Sequence, residues 1–210
     1  MQRLILAVLA ASFGLAGAAH AQQRHPAGLS SSRFVLNGHS TAALGTSVGD
    51  AFGSLNTSTG LGAGVEGGYL ITPRLLAYAG LDIAKQPVDE FGLEGDFGLT
   101  HFEAGARLSF PIPRSKVMPY LGGWVGRRRL STTVDNFDTG ESSDLSMSGL
   151  ALGATGGVQV FVSPKLALDG GVSVGVGKMG NVKVDGQRED WGTPDNTTTT
   201  RIRLGANWYP

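Results

Sequence analysis

The sequence predicts an all-β chain: a closed eight-stranded antiparallel up-and-down β-barrel that crosses a membrane. Three observations predict it. Long segments alternate apolar and polar residues with a period of two. Short proline turns alternate with long polar connectors along the chain. In the clearly alternating segments Lys, Arg, Asp and Glu fall only on the face opposite the apolar one.

The first element is not part of the fold. Arg3 supplies a positive start and 4–17 an apolar run, with Ala19 and Ala21 as small residues before a predicted cleavage ahead of Gln22. This is the pattern of a secretory signal peptide over 1–21. The apolar run falls short of the ~20 residues of a spanning helix. Residues 22–32 then read as a polar, flexible lead-in, and 33–210 as the barrel domain. After residue 21 no stretch is long and apolar enough for a spanning helix, which leaves a soluble secreted protein or a membrane barrel.

Strands are predicted at about 33–45, 60–71, 75–84, 98–110, 117–130, 148–162, 165–177 and 199–209. The alternation is explicit in several of them. Leu61, Ala63, Val65, Tyr69 and Ile71 oppose Gly62, Gly64, Glu66 and Gly68. Phe102, Ala104, Ala106, Leu108 and Phe110 oppose His101, Glu103, Gly105, Arg107 and Ser109. Ile202, Leu204, Ala206 and Trp208 oppose Arg201, Arg203, Gly205 and Asn207. Thr41, Ala42 and Ala43 blur the pattern in the first strand. Turns fall at Thr72-Pro73-Arg74, at 111–115 and at Ser163-Pro164-Lys165, where proline and its neighbours set hairpin geometry. Longer connectors at roughly 46–59, 85–96, 131–146 and 178–198 are rich in Gly, Asp, Asn, Ser and Thr.

Most of these strands exceed the ~5–6 residues usual in globular sheets and match the ~9–11 needed to cross a bilayer. In lipid, every backbone polar group needs an internal partner, so a spanning sheet must close. A soluble carrier barrel would show the same alternation turned inside out. Glycine, 33 of 210 residues, crowds the polar face, as a narrow interior requires and a solvated exterior does not. The aromatics Phe34, Tyr69, Phe110, Tyr120, Phe161, Trp208 and Tyr209 gather near the short turns and the chain end, as expected of an interfacial girdle. Phe161 falls on the polar parity.

Composition excludes several function classes. There is no cysteine, and Lys+Arg and Asp+Glu both number 17. Disulfide scaffolds, thiolate metal sites and cysteine nucleophiles are therefore out. No basic footprint marks a nucleic-acid partner.

On these residues the chain resembles the small eight-stranded outer-membrane barrels of the OmpA-like and OmpX-like kind, over essentially 30–210. The run 117–126 (VMPYLGGWVG) looks like the Pro-Tyr-x-Gly-x-x-x-Gly stretch of such a fifth strand. The tail Gly205, Trp208 and Tyr209 is similar to the C-terminal assembly signal, although Pro210 stands last where the signal usually ends in an aromatic. The resemblance implies a porin-like, monomeric protein of the outer membrane, in contact with lipopolysaccharide and inserted by the barrel-assembly machinery.

The polar faces place Glu66, Asp82, Glu103, Arg107, Asp169, Arg201 and Arg203 in a lumen. There the four carboxylates are expected to meet Arg107, Arg201, Arg203 and one of Arg127, Arg128 and Arg129. Which of the three turns inward depends on whether a bulge shifts the parity. A narrow, poorly hydrated interior tolerates charge only when it is partnered. Such a network either plugs the barrel or gates a narrow pore. No catalytic, cofactor or metal site is expected. The Gly62–Gly67 match to a dinucleotide loop lies inside a strand rather than before a helix, and His25, His39 and His101 have no ligand spacing. The functional expectation is a non-enzymatic envelope or surface-interaction role through the loops. A narrow pore is the alternative, and a lipid A-modifying enzyme with a Ser/His/acid set the remote one.

Overall fold

The computed structural model describes residues 32–48, 55–56, 59–88, 95–135, 142–180, 183–184, 187–188 and 196–210. The signal peptide with Ala19, Ala21 and Gln22 lies outside them, as does the lead-in up to residue 31.

Eight long strands follow in chain order: β1 (Phe34–Val48), β2 (Gly60–Leu70), β3 (Leu75–Val88), β4 (Gly95–Ser109), β5 (Val117–Asp135), β6 (Ser142–Ser163), β7 (Leu166–Met179) and β8 (Asn196–Trp208). Each pairs antiparallel with its sequence neighbour, and β8 returns to pair with β1, closing the sheet. Closure is staggered. Partner to partner, Asn37 leads through Glu66, Gly80, Glu103, Gly126, Ala151, Gly177 and Thr197 to Val48, not to Asn37. That offset is the shear that tilts the strands of a closed barrel. One bulge, between Leu44 and Thr46, interrupts the closing ladder.

The short turns are set by their own side chains. Thr72 Oγ1 accepts the backbone N–H of Leu75 at 3.0 Å and of Arg74 at 3.3 Å. In the β6–β7 hairpin Ser163 Oγ accepts from the Lys165 N–H at 3.3 Å, opposite Leu166. Between β4 and β5, Arg114 takes a positive φ of 60°.

At the loop rim the strands run further than the alternation of hydrophobicity suggests. Parts of the expected connectors 85–96, 131–146 and 178–198 continue the ladder, and β5 pairs with β6 up to Asp135 and Ser142. Short strands at Leu55–Asn56, Lys183–Val184 and Gln187–Arg188 add to this rim. Backbone pairing does not need apolar side chains. The Ser- and Thr-rich ends stay in register once the apolar stretch below has fixed it.

The wall is apolar outward and polar inward. Leu61, Val65, Leu121, Val125, Leu150 and Leu204 are exposed around the outside, Leu150 by 75%. The inward residues are buried, among them every charged residue expected in the lumen. A water-soluble barrel would have these faces exchanged. The aromatic girdle is narrower than expected. Phe34, Tyr69, Phe110 and Trp208 face out, with Phe34 and Tyr69 edge to face at 5.3 Å. Tyr120 and Tyr209 sit on inward positions and are buried, and Phe161 packs inward against Tyr209 at 5.6 Å between ring centroids. Strand parity, not nearness to a turn, decides which way each ring points.

Inside, the glycines make room for two large rings. A Cβ at Gly153 would lie 2.5 Å from Trp124 Cζ2, one at Gly171 2.5 Å from the Tyr120 hydroxyl, and one at Gly175 would collide with Trp124. Gly38, facing out, has nothing within 4 Å. Gly175→Val is therefore expected to abolish the folded, heat-modifiable band on refolding into detergent micelles. Gly38→Ala should retain it with unchanged or slightly raised stability, by about 0.4–1 kcal/mol.

Candidate functional site: a charge network inside the barrel

The inward positions stack in three layers. Toward the turn end Val35, Leu76, Tyr78, Ala167 and Tyr209 form an apolar cluster with Trp124 and Ala151, flanked by Leu70 and Phe161. Toward the loop end Ala84, Leu99, Leu130 and Met179 form a second cluster. The charged residues lie mainly between them.

Arg201 on β8 is the hub. Its Nη1 donates to Asp82 Oδ2 on β3 at 2.7 Å and its Nη2 to Glu103 Oε2 on β4 at 2.5 Å. Two positions along β8, Arg203 Nη1 donates to Glu103 Oε1 at 3.0 Å and stands 3.6 Å from Glu66 Oε2 on β2. Arg107 on β4 also donates to Glu66 Oε2. Its guanidinium lies over the rings of Tyr78 and Tyr120, at 4.4 and 5.1 Å from their centroids. Two carboxylates thus each take two arginine partners, and the side chains involved are almost wholly buried. Charge-assisted bonds of this kind are among the strongest side-chain contacts, and here they offset a large desolvation cost.

The network closes into a loop through neutral residues. Tyr120 donates to Asp169 Oδ1 at 3.1 Å and Asn207 Nδ2 to Asp169 Oδ2 at 3.0 Å. Asn37 Nδ2 donates to Asn207 Oδ1 at 3.0 Å, which leaves Asn37 Oδ1 facing His39 Nδ1 at 2.6 Å. His39 Nε2 meets Asp82 Oδ1 at 2.6 Å. Because Asp169 accepts from Asn207, the amide directions of Asn207 and Asn37 are fixed along this run.

Glu66, Asp82, Glu103, Arg107, Asp169, Arg201 and Arg203 all lie inside the barrel, but not all pair as expected. Asp169 meets no arginine among the described residues; Tyr120 and Asn207 hold it instead. Of the arginine triplet, Arg128 turns inward, while Arg127 and Arg129 face out. Arg128 lies over Trp124, 5.6 Å from the ring centroid, and makes no ion pair among the described residues. His101 packs edge to face on the same ring at 4.9 Å, with its Nδ1 3.4 Å from Glu103 Oε2. The residues missed by sequence reasoning are Asn37, His39, Tyr120, Trp124, Ser173 and Asn207. Ser173 accepts the Trp124 Nε1–H at 2.8 Å. Their one signal was parity, which places each of them inward once the strand register is known. In the C-terminal tail, Tyr209 is buried and donates to Gln159 Oε1 at 2.9 Å, while Trp208 faces out.

Asp82, His101 and Glu103 bring their ligand atoms within 4.8 Å of one another. The Arg201 guanidinium already bridges the two carboxylates, so a cation is built into the position a divalent metal would take. Both described histidines, His39 and His101, face the lumen and are buried. Among the described residues, then, no histidine reaches the lipid-facing wall where a Ser/His/acid set would meet a lipid substrate.

No protein-family profile matches the chain, and no curated protein sequence does. Solved structures share its fold, among them two outer-surface barrels. Neisserial surface protein A (NspA) superposes with a TM-score of 0.61 at 23% identity, covering 85% of this chain and 98% of its own. Ail, the attachment invasion locus protein of Yersinia pestis, superposes with a TM-score of 0.52 at 17% identity, covering 84% and 98%. The chain has the fold of the small eight-stranded outer-membrane barrels.

Arg201→Gln leaves Asp82 and Glu103 without their shared partner. It is expected to lower stability by about 3–5 kcal/mol, against less than about 0.5 kcal/mol for Lys116→Gln at an exposed turn. Urea unfolding of the refolded barrel measures both. In the double variant Arg201→Gln/Glu103→Gln the losses should be strongly non-additive, since the two residues share one contact.

Proposed function

We propose that the chain is a non-enzymatic outer-membrane protein. Its barrel serves as a closed scaffold, and its long loops carry an envelope-integrity or surface-interaction role. The observation that carries this reading is the filled interior behind an apolar wall. Among the described residues Glu103 and Asn207 are 0% exposed and Arg128 2%, which supports an interior filled by side chains over an open channel. An eight-stranded barrel is just wide enough for side chains to fill it, and here apolar layers stand above and below the charges. Function then falls to the connectors, where a rigid scaffold most often carries binding. The two fold relatives named for a surface position and for attachment support the same reading.

On this proposal the chain is exported, cleaved between Ala21 and Gln22, and inserted by the barrel-assembly machinery through a tail that includes Gly205, Trp208 and Tyr209. It works as a monomer against lipopolysaccharide and phospholipid. Density fractionation should place it with outer-membrane markers, with a mature N-terminus at Gln22. Recovery in the soluble periplasmic fraction would overturn the assignment. In planar bilayers the purified protein should give no stable open level above leak, and a reproducible unitary conductance would establish the pore reading instead.

A further inference from the structure

The interior charges are not evenly matched along the barrel axis. In the middle layer the carboxylates of Glu66, Asp82 and Glu103 face the guanidiniums of Arg107, Arg201 and Arg203, three against three. Asp169 lies apart toward the turn end, held by Tyr120 and Asn207. Arg128 lies apart toward the loop end and has no such holder. It is buried, and neither Nη1 nor Nη2 has a hydrogen-bond partner among the described residues. Glu103, a carboxylate on the neighbouring strand, already accepts from Arg201 and Arg203.

A second unmet group stands close by. Thr199 Oγ1 on β8 is buried and also lacks a partner among the described residues. Thr199 pairs with Gly175 of β7, and a Cβ at Gly175 would lie 2.8 Å from Arg128 Nη2. Paired residues hold their Cβ positions ~5 Å apart, so guanidinium and hydroxyl come within reach of one shared ligand. Trp124 walls this space, with the Arg128 and Arg201 guanidiniums 5.6 and 5.2 Å from its ring centroid. One inward step toward the loops, Leu99, Leu130 and Met179 join Ala84 in the buried cluster that covers it. His101, the ladder partner of Arg128, turns its Nδ1 to Glu103 at 3.4 Å and belongs to the middle layer.

A buried cation without a counter-charge is strongly destabilising, and a buried polar group without a partner calls for a bound water or ion. Water would satisfy the N–H groups but not the charge. We propose that Arg128 and Thr199 bind a small monovalent anion, of the size and charge of chloride, sealed inside the loop end of the barrel. One surplus positive charge sets the valence, and the packed surroundings set the size. The ion supplies the counter-charge that the chain itself places at the far end of the lumen, in Asp169. Its binding is independent of whatever the loops meet.

The test uses the full-length mature protein, refolded in neutral detergent from the denatured chain so that the anion present at closure is known. Crystals of protein refolded in sodium bromide should show a bromine anomalous peak within hydrogen-bonding reach of the Arg128 Nη atoms. No peak there, with bromide at the outer surface only or nowhere, would overturn the site. In urea unfolding at constant ionic strength, sodium chloride in place of sodium gluconate should raise the wild-type midpoint until it levels off, as for a ligand that binds only the folded state. Arg128→Met should lose that rise entirely, whereas Lys116→Gln at a turn should keep it. In gluconate alone, Arg128→Met should unfold at the same or higher urea than the wild type, because the unpaired charge is gone. An equal chloride response in Arg128→Met, a variant weakened equally in both salts, or a wild type indifferent to the salts would each overturn the site. The bromide arm needs only the wild type, so it decides even where Arg128→Met fails to fold.

Discussion

The ladder between β1 and β8 is the contact on which the rest of the structure depends. It is the most non-local pairing in the sheet, and it alone brings Arg201 and Arg203 from the last strand against the carboxylates of β2, β3 and β4. The bonds from Arg201 to Asp82 and Glu103 span 119 and 98 residues of chain. Before closure those side chains have water; after it they have only each other. Closure and charge pairing are therefore one event, because an open sheet gives the arginines no partners and a closed one gives them no solvent. Contacts of such long range are slow to form.

That coupling accounts for the choice of interior. Packing the lumen with aliphatic residues would often be as stable as burying ion pairs. But a barrel that is apolar on both faces has no signal for which side of a strand looks inward, since a slip of one residue exchanges the faces. Charges on the inner parity give every register error a large penalty. Glu66, Asp82, Glu103 and Arg203 read the register of β2, β3, β4 and β8 against one another. The rings of Tyr120 and Trp124, seated over glycines of β6 and β7, do the same for β5 by shape. The apolar clusters at the two ends then exclude water from the charged layer and strengthen its bonds.

Much of this was legible along the chain because a strand has only two faces. The alternation and the proline turns marked eight strands, and the parity of Glu66, Asp82, Glu103, Arg107, Asp169, Arg201 and Arg203 put them on one side of the wall. What parity cannot supply is the partner across the lumen, which depends on shear. Asp169 sits near the turn end, beyond the reach of the arginines and beside Tyr120 and Asn207, while Arg128 sits high on β5 against Trp124. Their distance follows from the stagger that carries Asn37 round to Val48, a quantity with no local trace. His39 was obscured for a different reason: the small residues Thr41 to Ala43 soften the alternation around it. The ends of β5 and β6 were misjudged because their Ser and Thr side chains resemble loop while their backbones remain paired.

The outside of the cylinder follows an order of its own. Among the described turn segments the charged residues are Arg33, Arg74, Arg114, Lys116 and Lys165, with no carboxylate beside them. At the opposite edge of the belt the first outward charges on β3, β5 and β7 are the cations Lys85, Arg127 and Lys178, while on β6 it is the exposed Asp144. Acidic residues such as Asp89, Glu90, Glu94, Asp138 and Glu141 belong to connectors farther along the chain from the belt. A lysine or arginine at an apolar boundary can lie with its stem on the wall and its head toward phosphates. A carboxylate there has a shorter stem and would repel the same phosphates. Cations flank the apolar belt at the turns and on β3, β5 and β7, and an apolar wall bounded by charge on both sides resists sliding along its axis through an apolar layer.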